Sequence, residues 1–70
     1  MSESESVYRK VEVVGSSGAS IEDAIQNAIA RASSTLRNIS WFETEKITGH
    51  IVDGKVAHYQ VDLKIGFRLE

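Results

Sequence analysis

WFETEKITGHIV (41–52), Asp53-Gly54 and KVAHYQVDLKIGFRLE (55–70) form the stretch whose reading decides the fold. Asp-Gly between two β-rich runs signals a hairpin, because glycine takes a positive φ at no steric cost. Beyond the turn, Ala57, Tyr59, Val61, Leu63, Ile65, Phe67 and Leu69 fall on one face, and His58, Gln60, Asp62, Lys64 and Arg68 on the other. This second strand is predicted to run about 16 residues where 5–6 is usual, a reach of roughly 50 Å. For Ile47 and Ile51 to share a face with Tyr59 and Val61, the loop needs an odd number of residues. A three-residue loop ending in Gly54 with a bulge meets that need, whereas a two-residue Asp-Gly turn sets Ile47 opposite Gln60.

Upstream, Val7 to Val14 reads as a first strand with Val7, Val11 and Val13 on one face, and Gly15-Ser16-Ser17-Gly18 reads as a loop. Ser20 then opens a helix, its hydroxyl placed to accept from the backbone N–H of Asp23, with Glu22 and Asp23 at the positive end of the helix dipole. Ile21, Ala24, Ile25, Ala28, Ile29, Ala32 and Leu36 make one apolar stripe, Arg37 suits the last turn, and Asn38 suits a left-handed cap. The element order is β-α-β-β, an α+β arrangement. If the first two strands are parallel neighbours their crossover is right-handed, and an antiparallel arrangement is equally open.

Seventy residues hold one domain, predicted over residues 7–70 with a disordered tail at 1–6. A chain of this size buries only about 60% of its unfolded surface and is marginal without a staple. It has no cysteine, and its two histidines, His50 and His58, are too few for a convincing zinc site, so no metal is expected. The net charge is −2 and the eight basic residues are scattered, which argues against a nucleic-acid footprint. No 18-residue apolar run and no apolar leader is present, so the expectation is a soluble, cytoplasmic protein with no membrane partner.

Oligomerisation is the staple that remains. A helix of about 17 residues is roughly 26 Å long and covers half of the hairpin. Trp41, Phe42, Ile65, Phe67 and Leu69 are then expected to lie beyond it, an apolar patch that further copies of the chain would cover. Gly49 and Gly66 permit the hairpin to curl.

These segments together resemble the dodecin family of small flavin-binding proteins over nearly the whole chain. The likeness runs through VYRKVEVVG, SIEDAIQNAIARAS, TLRNISWFE and TGHIVDGKVAHYQVDLKIGFRLE. W-F-E, G-x-I, D-G-K-V, Y-Q-V and G-F-R-L at this spacing in so short a chain carry the specificity. The resemblance implies one helix packed against a curled three-stranded antiparallel sheet, and a hollow homododecamer. It also implies flavins (FMN, riboflavin or lumichrome) stacked in pairs between tryptophans of symmetry-related subunits. The implied role is flavin storage, buffering and photoprotection without catalysis. A colourless protein-interaction module is the competing reading.

By that resemblance Trp41 is the stacking residue, an indole offering a flat face to a flat ring system. Strict alternation places it on the face of Ile47, toward the helix, unless the strand is bulged near its start or Trp41 lies past the helix end. A core aromatic or an interface plug is the plain alternative. Gln60 corresponds to the amide that meets the flavin's pyrimidine edge, where donor and acceptor alternate; otherwise it is a solvated strand residue. Arg68, on the face of Gln60, suits a ribityl phosphate or an intersubunit carboxylate. Thr48 stands where many family members carry a basic residue, which weakens the phosphate contact. Gly49 permits close approach of a ligand to the backbone, and His50 suits a hydrogen bond to the ligand or a solvated strand position. Lys46 and Asp62 are placed for a cross-strand ion pair. Some family members also hold a coenzyme A-type nucleotide on the outer surface, and Thr35 and Arg37 lie in that region.

Overall fold

The computed structural model describes residues 5–70, so the predicted disordered tail over 1–6 falls largely outside the described residues. Strand β1 (Tyr8–Ser17), helix α1 (Ile21–Ser33), strand β2 (Ile39–Val52) and strand β3 (Lys55–Arg68) follow one another along the chain. The sheet order is β1-β3-β2, and both pairings are antiparallel. The first and second strands are therefore parallel to each other without being neighbours, because β3 lies between them. β3 has the most regular alternation and takes the central place, where both of its edges are paired. Its Val61, Leu63 and Ile65 are fully buried and form the core with Ala24, Ala28 and Ala32 of the helix.

β1 continues through the segment that composition marks as a loop. Gly15, Ser16 and Ser17 pair with Val61, Gln60 and Tyr59. Gly15 is the point of closest approach, since a Cβ there would overlap the Ala24 carbonyl oxygen and crowd Ala28 Cβ. Ser17 is buried; its hydroxyl donates to Asp23 Oδ2 at 2.7 Å and accepts from the Ala19 N–H at 2.9 Å. Ser20 caps the helix as its sequence predicts, accepting from Asp23 N–H at 3.0 Å.

The helix is 13 residues rather than 17. Ser33 and Ser34 donate their hydroxyls back to the carbonyls of Ile29 and Arg31, both at 2.7 Å, and the chain turns there. Leu36 still packs on the core from beyond the helix end. Asn38 does take a left-handed conformation, φ 61°, but it leads into β2 and is not the helix cap.

The helix starts beside Ser17, which is in register with Tyr59, and runs back toward the open end of the hairpin. Its length of about 20 Å matches the six-residue step from Tyr59 to Ile65. Ile65 is thus buried and not left beyond the helix as expected, and Phe67 is half-buried. Trp41, Phe42 and Leu69 are exposed as expected, and the turn end adds Ile47, Ile51, Val52 and Val56 to the uncovered apolar surface. No residue of β2 is buried. The principal extents of 55 × 20 × 14 Å record how far the hairpin outruns its helix.

Candidate functional site

The turn has two residues, not three: Val52 pairs with Lys55 across Asp53 and Gly54, at φ 52° and 74°. The odd count comes from a bulge in β3. His50 is opposite His58 and Ile51 opposite Val56, which leaves Ala57 extra and brings Ile47 opposite Val61. Two further irregularities follow in β2, with Glu45 and Ser40 each extra against β3. Each inserted residue reverses the faces of everything beyond it.

The bulge at Glu45 decides where the tryptophan goes. Ile47 pairs with buried Val61 on the helix side, but Phe42 pairs with buried Ile65, and Trp41 therefore pairs with Gly66 on the opposite, open face. Of the two placements the sequence left open, the bulged strand is the one adopted. A Cβ on Gly66 would overlap three consecutive ring atoms of Trp41, Cη2, Cζ2 and Cε2, at nearly equal distances. That equality places the Gly66 backbone under the face of the indole, not at its edge. Tyr8 stands against the indole with ring centres 5.3 Å apart and planes at 71°. The indole N–H donates to Glu43 Oε2 at 2.9 Å, and Lys10 Nζ lies 3.3 Å from Glu43 Oε1. Glu43 was not predicted; the signal was its i+2 spacing from Trp41, which puts both on one strand face.

The hydrogen bond from Trp41, and then that from Lys10, hold the Glu43 carboxyl below its ordinary value. A depressed carboxylate contributes stability above its unfolded value and loses it as pH falls through the folded one. Neutral pH therefore keeps Glu43 ionised and able to accept from the indole N–H. With Trp41 still 36% exposed, the ring offers surface that Gly66 does not cover.

The other predicted residues separate into two places. Gln60, Thr48 and His50 lie on the open face: Thr48 pairs with Gln60, and Ser16 completes that row from β1. Arg68 is also on the open face, two residues beyond Gly66 and opposite Tyr8. Gly49 pairs with Tyr59 and belongs to the helix-side face, between Ile47 and Ile51. Trp41 and Gln60 share a face but sit at rows six residues apart along β3, about 20 Å. Thr35 and Arg37 lie on the turn after the helix, and Arg37 Nη2 reaches Glu70 Oε2 at 3.4 Å.

Lys46 pairs in register with Asp62 but forms no salt bridge with it among the described residues; Lys64 instead reaches Glu45 Oε1 at 3.5 Å. Asp62 Oδ1 is buried without a hydrogen-bond partner. Hydrogen bonding to Asp62, and then the Asp62 charge, raises the Glu12 carboxyl above its ordinary value, with Glu45 adding to the effect against Lys64. A raised carboxyl contributes stability below its unfolded value and loses it as pH rises through the folded one. Glu12→Gln is therefore expected to melt at a higher temperature than the parent at pH 7. The gap should close near pH 4, below the ordinary carboxylate value of 4.5. Melting curves across that range check this, and a gap that widens on acidification would refute the pairing.

The family model described as Dodecin matches residues 7–70. Dodecin of Thermus thermophilus is 55% identical over 64 residues, covering 91% of this chain and 93% of that protein. The solved dodecin of Streptomyces coelicolor is similar at 54% identity and TM-score 0.89, with 96% of each chain covered. That of Streptomyces davaonensis follows at 45% identity and TM-score 0.88, covering 94% of this chain and 97% of its own.

Proposed function

The chain belongs to the dodecin family, and from that premise we propose that it binds flavin in a closed shell of twelve copies, storing and shielding the dye without transforming it. The observation that carries this reading is the indole of Trp41, seated on Gly66, tied to Glu43 and partly exposed on the open sheet face. A flat, fixed aromatic surface at a strand face suits offset stacking on a planar ring system.

The distance between Trp41 and Gln60 supports assembly as part of the same reading. A tricyclic isoalloxazine is shorter than the ~20 Å between their rows, so the stacking face and the amide of one site come from different copies. Gln60 supplies a donor and an acceptor to the pyrimidine edge, with Thr48 beside it. Arg68 supplies a cation on the face of Trp41, suited to the phosphate of FMN. The exposed turn end and the uncovered β2 are the apolar surface that further copies bury.

The test uses flavin-free protein, titrated with riboflavin, FMN and lumichrome while flavin fluorescence and sedimentation are followed. Saturable quenching is expected, in a particle of twelve times 7.7 kDa. A monomer that leaves flavin fluorescence unchanged overturns the proposal.

A further inference from the structure

His50 and His58 face each other across β2 and β3, with ring centres 4.8 Å apart and planes tilted by 36°. The bulge at Ala57 makes this pairing; without it His50 would oppose Ala57 and His58 would oppose Gly49. Both rings therefore stand on the open face, His50 exposed and His58 half-buried, one row from Thr48 and Gln60.

We propose that this pair is a chelate for a borderline divalent transition-metal ion of the copper, nickel or zinc class. The argument is geometric. An ion bonded at about 2.0–2.1 Å to an imidazole nitrogen sits roughly 3.2 Å from the ring centre. Two rings on one ion, at an angle between a right angle and tetrahedral, then have centres about 4.5–5.2 Å apart. The observed 4.8 Å falls within that span. Two antiparallel strands set the two Cα positions directly opposite each other, so the rings meet without any change of backbone.

Neutral nitrogen donors select the class. Calcium and magnesium take oxygen ligands, whereas imidazole suits copper, nickel and zinc, with copper strongest in the divalent series. Two protein ligands are too few for a closed structural site, and among the described residues no third His, Cys, Asp or Glu joins them. The site is therefore an open one, its remaining positions taken by water. This assignment goes beyond flavin binding and rests on the imidazole pair, of which His50 alone is also a candidate flavin contact.

The test uses assembled, flavin-free protein and Cu²⁺, followed by electron paramagnetic resonance and calorimetric titration. Nitrogen splitting from two imidazoles is expected in the parent protein. His50→Ala and His58→Ala should each leave splitting from one imidazole and weaken binding at least about tenfold. A parent spectrum showing one imidazole, no binding at millimolar Cu²⁺, or equal affinity in either variant would overturn the proposal. The parent spectrum needs no variant to fold, and because no flavin is present its outcome is independent of flavin binding.

Discussion

Trp41→Ala is expected to lose flavin affinity by at least about 5-fold while the protein keeps its fold and its assembled mass. Stacking of a planar base on an aromatic side chain is worth ~1–3 kcal/mol. In a stack of two flavins between two tryptophans each flavin meets one indole, so the change per flavin is that same ~1–3 kcal/mol. The fold should survive because Trp41 lies outside the buried cluster of Val61, Leu63, Ile65 and the helix alanines. Its loss uncovers Gly66 and frees the Glu43 carboxylate, which keeps Lys10 as a partner. Fluorescence titration with riboflavin measures the first effect and sedimentation the second. Unchanged affinity would remove the indole from the site, and a dissociated protein would make Trp41 an assembly contact.

Gly15→Val is expected to be the most damaging single substitution to stability. Its Cβ would collide with the backbone oxygen of Ala24, and a helix backbone atom cannot swing aside as a side-chain tip can. Overpacking costs typically ~1–3 kcal/mol and more where the obstacle is rigid. At about 4–8 °C per kcal/mol for a domain of this size, a fall in melting temperature of at least ~12 °C is expected. Ala24, Ala28 and Ala32 make the reason general. The helix lies close to the sheet because small residues face it, and Gly15 is where the approach is tightest. Thermal melts at fixed protomer concentration check this, and a melt within about 2–3 °C of the parent would show that the helix yields at little cost.

The strongest local signals in the sequence survive in the structure. Ser20 caps α1, Asp53-Gly54 makes the turn, and the alternation from Tyr59 to Ile65 sorts the core from the open face. What escaped reading is the bulges. Glu45 sits in Thr44-Glu45-Lys46, where every residue is polar, so no change of hydropathy marks the point at which the faces exchange. Ala57 is small enough to be extra without leaving a trace in the pattern. The hydropathy pattern therefore shows the odd register of the hairpin, but not that Ala57 rather than the loop supplies the extra residue.

Leu36 extended the helical stripe past the true end because it packs on the same core from a turn. The hydroxyls of Ser33 and Ser34, which close the helix, look like ordinary surface serines in the sequence. At the site, Trp41 and Gln60 were named through the family resemblance, not through alternation, which sent Trp41 to the wrong side. In the sequence Gly66 marks a point where the strand can curl, whereas in the fold it lies under the indole of Trp41.

β2 is an outer strand with an unpaired edge along 14 residues. A straight, regular edge of that length invites identical chains to add indefinitely, as in a fibril. Here Ser40 and Glu45 break its rhythm, so a second strand laid alongside soon loses step with the donors and acceptors it must meet. Growth by endless lateral addition is thereby discouraged, which leaves the proposed shell to close through side-chain surfaces that meet at an angle. The irregularities that turn the indole outward thus also blunt this edge against unlimited growth.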